Sequence, residues 1–103
     1  MAGSSNTLTQ LLQVELPIVQ APMAGAQDSA LTIAVCNAGG LGSLPCAMLS
    51  PGSIRSELQA IRAATTNPYN VNFFVHQQPK IDITALAHWQ ALLAPYYDEF
   101  GID

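Results

Sequence analysis

Residues 16–44, LPIVQAPMAGAQDSALTIAVCNAGGLGSL, predict one strand-helix-strand unit. The apolar run at 16–21 is typical of a buried parallel strand, which is continuously apolar rather than alternating. Asp28 can then cap a helix, and Gly39-Gly40 supplies its C-terminal stop. A second short strand is predicted at 41–44. Two strands joined through a helix form the repeating unit of parallel α/β proteins.

Two further strand-helix units are predicted towards the C-terminus. Ser50 followed by Pro51 is typical of a helix start, because a hydroxyl caps the first free N–H groups and proline has none to lose. The third strand is predicted at 70–75 (NVNFFV), and Asp82 can cap the helix after it. Pro95 is expected to divide this helix from a short turn. The predicted buried side of the first helix comprises Ile54, Leu58 and Ile61. In the second helix, Leu86, Trp89 and Leu93 are predicted to share one side.

The alternation of three strands with three helices predicts an α/β fold with a parallel sheet. Either an open doubly wound sheet or a TIM (β/α)8 barrel fits the pattern. Three strands cannot close a barrel, which needs roughly 250 residues, and the chain has 103. It is also only 10% charged, against roughly 25% in a typical soluble domain. Since a small domain should be more polar than average, we expect a slice of a larger body, rather than a small domain covered by another polypeptide.

Composition argues against several classes of protein. The formal net charge is -4 and the 3 basic residues are dispersed, so a nucleic-acid partner is not expected. No apolar run approaches the roughly 18 residues of a membrane span, and the first residues lack the features of a signal peptide. Cys36 and Cys46 match no metal-binding spacing. These features predict a cytoplasmic protein without a metal site, in which residues 1–12 are flexible.

The first candidate site follows the first predicted strand. Ligands of parallel α/β proteins gather at the C-terminal ends of the strands. Pro22, Met23 and Ala24 lie there and carry no side-chain donors, so they would act through their backbone and their shape. Small residues let a flat aromatic ligand lie close, and Met23 offers an adaptable apolar wall. The alternative is an ordinary connecting loop without a ligand.

Asn72 is the second candidate and lies within the third predicted strand. Because side chains alternate along a strand, Asn70 and Asn72 share one face, while Val71 and Phe73 share the other. If the second set packs against helices, the two amides point into the interior, where an unpaired amide is costly. Either a cofactor's polar edge or neighbouring backbone must satisfy Asn72. His76 shares its parity, but a lone histidine there is more often structural than catalytic.

Three blocks resemble, in order and spacing, the opening of class I nitronate monooxygenases: PIVQAPMAG (17–25), AVCNAGGLGSLPCAML (34–49) and PYNVNFFVHQQP (68–79). The resemblance implies the N-terminal part of a TIM barrel that binds FMN and oxidises alkyl nitronates, such as propionate 3-nitronate, with O2. It also implies that Pro22, Met23 and Ala24 line the flavin and that Asn72 hydrogen-bonds it. The family's catalytic residues are expected beyond residue 103, so the remainder of the barrel would be a required partner.

Two other interpretations stay open at this point. The chain could come from another FMN-binding TIM-barrel oxidoreductase, similar to an enoyl reductase or a dihydroorotate dehydrogenase. It could also be a truncated product that catalyses nothing and acts only as an interaction module. The motifs that would separate the flavoenzymes, a later histidine and the flavin phosphate loops, are not among these 103 residues.

Overall fold

The computed structural model describes residues 7–102 and shows a parallel α/β arrangement. In chain order the elements are α1 (Thr7–Leu12), α2 (Ser29–Asn37), β1 (Gly42–Pro45), α3 (Pro51–Ala64), β2 (Tyr69–Asn72) and α4 (Ile83–Phe100). Strands β1 and β2 are parallel, with Gly42 opposite Tyr69 and Pro45 opposite Asn72. Helix α2 packs against both β1 and α3.

The first predicted strand, at 16–21, is reduced to a single parallel bridge between Val19 and Leu41. Leu41 donates its N–H to the Ile18 carbonyl, and Gln20 donates to the Leu41 carbonyl, both at 2.9 Å. The ladder does not continue, because the next donor, the Ser43 N–H, bonds to the side chain of Gln20 instead of its backbone carbonyl. The donor after it would be Pro22, which has no N–H. The order and parallel orientation predicted for the three segments are confirmed. The prediction of three strands is wrong for the described residues, which contain two.

The third predicted strand, at 70–75, ends early, at Asn72. The last bond between β1 and β2 runs from the Cys46 N–H to the Asn72 carbonyl, at 2.8 Å. The Cys46 carbonyl then accepts from the Leu49 N–H at 3.1 Å, so the chain after β1 has already turned away. Without a partner strand the residues after Asn72 stay irregular, and the Val75 side chain is 93% exposed.

The predicted ends of α2 are confirmed. The Asp28 side chain accepts from the Ala30 N–H at 2.9 Å. At the other end, Gly39 has a φ of 94°, a conformation that glycine adopts without steric cost. Its N–H donates to the Cys36 carbonyl, and the Gly40 N–H donates to the Val35 carbonyl. These two bonds form a Schellman motif, which satisfies carbonyls that the helix end would otherwise leave free.

A small core lies between β1 and α3. Leu44, Cys46 and Ile61 are buried there, and partly buried side chains pack around them: Ile33, Ile54, Leu58 and Tyr69. The predicted inner side of α3 is therefore confirmed. Its predicted start is confirmed too, since the Ser50 hydroxyl accepts from the Ser53 N–H at 3.1 Å and Pro51 is the first helical residue.

Helix α2 lies unusually close to β1 at Gly42. A Cβ at this position would collide with the Thr32 carbonyl oxygen and would lie 2.8 Å from the Cys36 sulfur. The Thr32 hydroxyl also donates to the Ser43 carbonyl at 3.0 Å. A residue without a side chain is therefore required for this helix-to-strand contact.

The two terminal helices differ from the sequence prediction. Residues 7–12, which were expected to be flexible, form α1, while residues 1–6 lie outside the described part of the chain. Pro95 does not divide α4, which continues to Phe100. Proline removes one helical hydrogen bond and its ring crowds the carbonyl four residues earlier, yet the residues on both sides of Pro95 stay helical. Gly101, with a φ of 60°, closes the last turn by donating to the Tyr97 carbonyl.

Helix α4 stands away from the rest of the structure. None of its residues is buried, and Leu86, Trp89 and Leu93, predicted to share one side, are 50%, 62% and 37% exposed. The described residues have a radius of gyration of 20.0 Å, against roughly 13 Å for a compact domain of 100 residues. This apolar side of α4 is therefore uncovered in the structure.

Candidate functional site

Residues 22–25, which we call the site loop, follow the Val19 bridge at the C-terminal end of the strands. Pro22 and Ala24 are half-buried, and Met23 is 45% exposed. The Ala26 N–H donates to the Met23 carbonyl at 3.1 Å. With Gly25 at a φ of 78°, this is a type II turn, whose third position requires a positive φ. Two of the three residues predicted to line a ligand, Met23 and Ala24, therefore lie in one tight, hydrogen-bonded turn, and Pro22 directly precedes it.

Two glutamines, which we call the glutamine clamp, tie the site loop to β1. Oε1 of Gln27 accepts from the Met23 N–H at 3.0 Å and from Nε2 of Gln20 at 2.6 Å. Nε2 of Gln27 donates to the Ser43 carbonyl at 2.9 Å. Oε1 of Gln20 accepts from the Ser43 N–H, also at 2.9 Å. The sequence analysis did not identify Gln20 or Gln27, because no motif in the sequence marks these two glutamines as partners of the loop.

The face of β2 that carries the two asparagines is the one the alternation predicts. Ser43 lies opposite Asn70, and Nδ2 of Asn70 donates to the Ser43 hydroxyl at 3.2 Å. On β1, Ser43 alternates with Gly42, which faces α2, and Leu44, which faces the core. Asn70 and, by alternation, Asn72 therefore lie on the side of the sheet away from the helices.

Asn72 is half-buried at the C-terminal end of β2. Its backbone carbonyl is bonded to Cys46, but its side-chain amide has no hydrogen-bond partner within residues 7–102. No buried side-chain nitrogen or oxygen in the described part of the chain lacks a partner, so the Asn72 amide is reached by solvent. Val71, on the opposite face, is 43% exposed, so the outward packing predicted for it is incomplete, while Tyr69 on the same face contacts the core.

His76 and Cys46 lie near this end of the sheet without the features of reactive groups. His76 is exposed beyond the end of β2, and its ring centroid lies 5.5 Å from that of Phe74. Burial raises the pKa of the Cys46 thiol, and a hydrogen bond with the Asn72 backbone opposes this in part. A thiol with a raised pKa is protonated near neutral pH and is a poor nucleophile.

The N-terminus of α2, beside the site loop, is already occupied by carboxylates. Glu57, from α3, accepts from the Ser29 N–H at 2.8 Å, and Asp28 accepts from the next N–H along the chain. A phosphate would need these same donors and a positive environment. An open groove of about 500 Å³ adjoins this helix end, and its lining residues are Gly25, Ala26, Gln27, Asp28, Ala30 and Leu31. The groove is suited to a neutral or apolar group rather than to phosphate.

Two other types of site are missing from the part of the chain that the structure describes. No cluster of three or more His, Cys, Asp or Glu side chains there could hold a metal ion. No helix among residues 7–102 is long and apolar enough to cross a membrane.

A second groove, of about 550 Å³, is slightly larger than the one beside α2. It runs along α3 between Pro51 and Arg62 and includes neither the site loop nor a strand residue.

Comparison with known sequences places these features in a family. The family model for nitronate monooxygenase matches residues 5–100. The nitronate monooxygenase of Paraburkholderia phytofirmans is 42% identical over 94 residues, which cover 91% of this chain and 26% of that protein. The Pseudomonas aeruginosa nitronate monooxygenase is 37% identical over 99 residues, with 96% and 28% covered. The chain thus spans about a quarter of the length of these curated relatives.

Solved structures give the same result for the fold. Nitroalkane oxidase from Streptomyces ansochromogenes superposes with a TM-score of 0.68 at 37% identity, covering 86% of this chain and 26% of that one. FabK from Thermotoga maritima superposes with a TM-score of 0.64 at 34% identity, covering 68% and 22%. Both neighbours are TIM barrels, so the two parallel strands and their helices are those of part of such a barrel. The chain belongs to the nitronate monooxygenase family.

Proposed function

We propose that this chain contributes the opening strand-helix units of an FMN-dependent nitronate monooxygenase, which oxidises alkyl nitronates such as propionate 3-nitronate with O2. The observation that carries the proposal is the match of the family model to residues 5–100. The composition supports it, because a chain with 10% charged residues has a surface that suits burial against the remainder of a barrel.

The residues present fit a flavin at the C-terminal ends of the strands. Asn72 is a half-buried residue whose amide is open to solvent and has no hydrogen-bond partner within residues 7–102. This amide can both donate to and accept from the polar edge of a flavin ring. The site loop offers a small, apolar surface formed by Pro22, Met23 and Ala24. We propose that these three residues line the FMN and that Asn72 hydrogen-bonds it. Bound FMN would supply the electron-transfer chemistry.

The catalytic base and the phosphate contacts are proposed to come from elsewhere in the barrel. The N–H groups at the start of α2 are taken by Asp28 and Glu57, and His76 contacts Phe74 rather than the site loop. FabK superposes almost as well as nitroalkane oxidase, with TM-scores of 0.64 and 0.68. Nitronate chemistry is favoured because the matching family model and the relatives from Paraburkholderia phytofirmans and Pseudomonas aeruginosa carry that activity in their names.

The proposal predicts that activity depends on the remainder of the barrel. The chain alone, with added FMN and propionate 3-nitronate, should consume oxygen in an oxygen electrode no faster than free FMN does. A chimera in which residues 5–100 replace the matching segment of the Pseudomonas aeruginosa relative should bind FMN and show turnover. A folded chimera that binds FMN but does not oxidise the nitronate would contradict the proposed activity. Turnover by the chain alone would contradict the proposal that the catalytic base comes from elsewhere in the barrel.

Asn72→Leu in this chimera is expected to weaken FMN binding. Loss of the hydrogen bond leaves a polar group of the flavin unpaired, which costs about 1–3 kcal/mol. At roughly 1.4 kcal/mol per factor of ten, the FMN dissociation constant should rise about five- to a hundredfold, as measured by flavin titration. Val71→Ala is the matched control, because its side chain lies on the opposite face and is 43% exposed. Equal FMN affinity of the Asn72 variant and the unsubstituted chimera would make the amide structural.

A further inference from the structure

Few interactions within the site loop itself hold it in place. Its residues, Pro22, Met23, Ala24 and Gly25, have no polar side chain, and the turn is closed by one bond, from the Ala26 N–H to the Met23 carbonyl. Gly25 adopts a positive φ, and a Cβ there would meet nothing within 4 Å. A loop of this kind keeps one conformation only if groups outside it hold it.

Gln27 is the group that reaches the loop from outside. Its Oε1 accepts from the Met23 N–H, and its Nε2 donates to the Ser43 carbonyl. Nε2 of Gln20 donates to the same Oε1 at 2.6 Å. If the Gln27 amide flipped, its NH2 group would face two donors, so these contacts fix one orientation of the amide.

The anchor at the other end of Gln27 is rigid. Ser43 is fully buried within β1, and its carbonyl also accepts from the Thr32 hydroxyl on α2 at 3.0 Å. Its N–H is held by Oε1 of Gln20 at 2.9 Å. The glutamine clamp therefore connects the buried Ser43 of β1 to the backbone N–H of Met23 through side-chain hydrogen bonds.

We infer that Gln27 is a positioning residue that holds the site loop, by way of the Met23 N–H, in a preformed shape against which a flat ring can bind. That the ring is FMN rests on the proposed function above. Hydrogen bonds that hold a binding surface in place before the ligand arrives increase affinity, because the ligand then has less ordering to impose.

Whether Gln27 fixes the site loop is tested without a flavin, by measuring amide hydrogen exchange of the Met23 N–H in the whole chain. Gln27→Met keeps the length of the side chain and removes its bonds, so the Met23 N–H should exchange about tenfold faster. Gln27→Glu keeps both acceptor contacts but sets a carboxylate oxygen against the Ser43 carbonyl. The loop then loses its anchor on β1, and the Met23 N–H should still exchange faster than in the unsubstituted chain. Glu57→Met is the matched control, because it removes the same kind of bond from the Ser29 N–H and should leave Met23 unaffected. Unchanged Met23 exchange in Gln27→Met overturns the inference.

A second measurement separates positioning from simple support of the fold. In the Pseudomonas chimera, Gln27→Met should weaken FMN binding and shift the visible absorption bands of the bound flavin, while Glu57→Met should alter neither. If Met23 exchange rises but FMN affinity and spectrum stay the same, the clamp does not act on the flavin site and the inference fails. If the unsubstituted chimera binds no FMN, the proposed cofactor is wrong, and the exchange result by itself decides whether Gln27 holds the loop.

Discussion

Leu44→Ala is expected to lower the free energy of unfolding by about 2–5 kcal/mol, the range for removing a buried leucine side chain. Leu44 has no exposed surface, and its core contains just two other fully buried apolar residues among those described, Cys46 and Ile61. Because the total stability of a domain is about 5–15 kcal/mol and small cores lie at the low end, this one change should remove a large share of the free energy of unfolding.

Urea denaturation followed by far-ultraviolet circular dichroism measures this effect. Met48→Ala is the control, because the Met48 side chain is 70% exposed and its loss should change the free energy of unfolding by less than about 0.5 kcal/mol. Equal unfolding midpoints for the two variants would show that the contact between β1 and α3 does not hold the structure together.

Gly42→Val is the second change with a large expected effect. Any Cβ at this position would meet the Thr32 carbonyl oxygen and the Cys36 sulfur, and a carbonyl inside a helix cannot rotate away. Helix α2 would have to move off β1, at a cost of about 1–3 kcal/mol or more. The thermal midpoint should fall accordingly in a circular dichroism melt.

Gly52→Ala is the control, and it is expected to change the stability in the opposite direction. Gly52 lies in the first turn of α3, and the nearest atom to a Cβ there would be the Ser50 oxygen at 3.9 Å. Gly52→Ala should therefore stabilise the chain by about 0.4–1 kcal/mol, chiefly by restricting the unfolded state. A Gly42→Val variant as stable as Gly52→Ala would mean that α2 and β1 are not in close contact in solution.

The features that the sequence predicted well depend on neighbouring residues. The caps at Asp28, Ser50 and Asp82 and the glycine stop at Gly39 each involve bonds within a few positions along the chain. Such bonds form whenever the local backbone is helical, so composition and spacing suffice to find them. The bounds of the predicted helices were consequently accurate, apart from the effect assigned to Pro95, whereas α1 was not predicted.

Strand lengths were less accurate because they depend on distant partners. The run at 16–21 has the composition of a strand, yet its pairing stops because the Ser43 N–H bonds to the Gln20 side chain and Pro22 has no N–H to donate. The run at 70–75 stops where the chain after β1 turns away, a turn that involves the Cys46 carbonyl and Leu49. Neither limit is visible until the register between the strands is known.

In the candidate site, too, the features set by nearby residues were predicted and the contacts between distant residues were not. Strand alternation alone predicted the face of Asn72, and the contact between Asn70 and Ser43 agrees with it. The glutamine clamp was not predicted, because whether Gln27 reaches Met23 and Ser43 together depends on how the site loop folds back over β1. Residues that act by holding others in place have no motif of their own in a single sequence.

The position of Trp89 determines what its fluorescence can report. Trp89 is the only tryptophan in the chain, it lies on α4, and its side chain is 62% exposed, remote from the core of Leu44, Cys46 and Ile61. Its indole is already in contact with water before the core melts, so its emission spectrum is insensitive to unfolding of that core. The same indole responds when another surface covers α4, which makes it a built-in optical sensor for assembly rather than for stability.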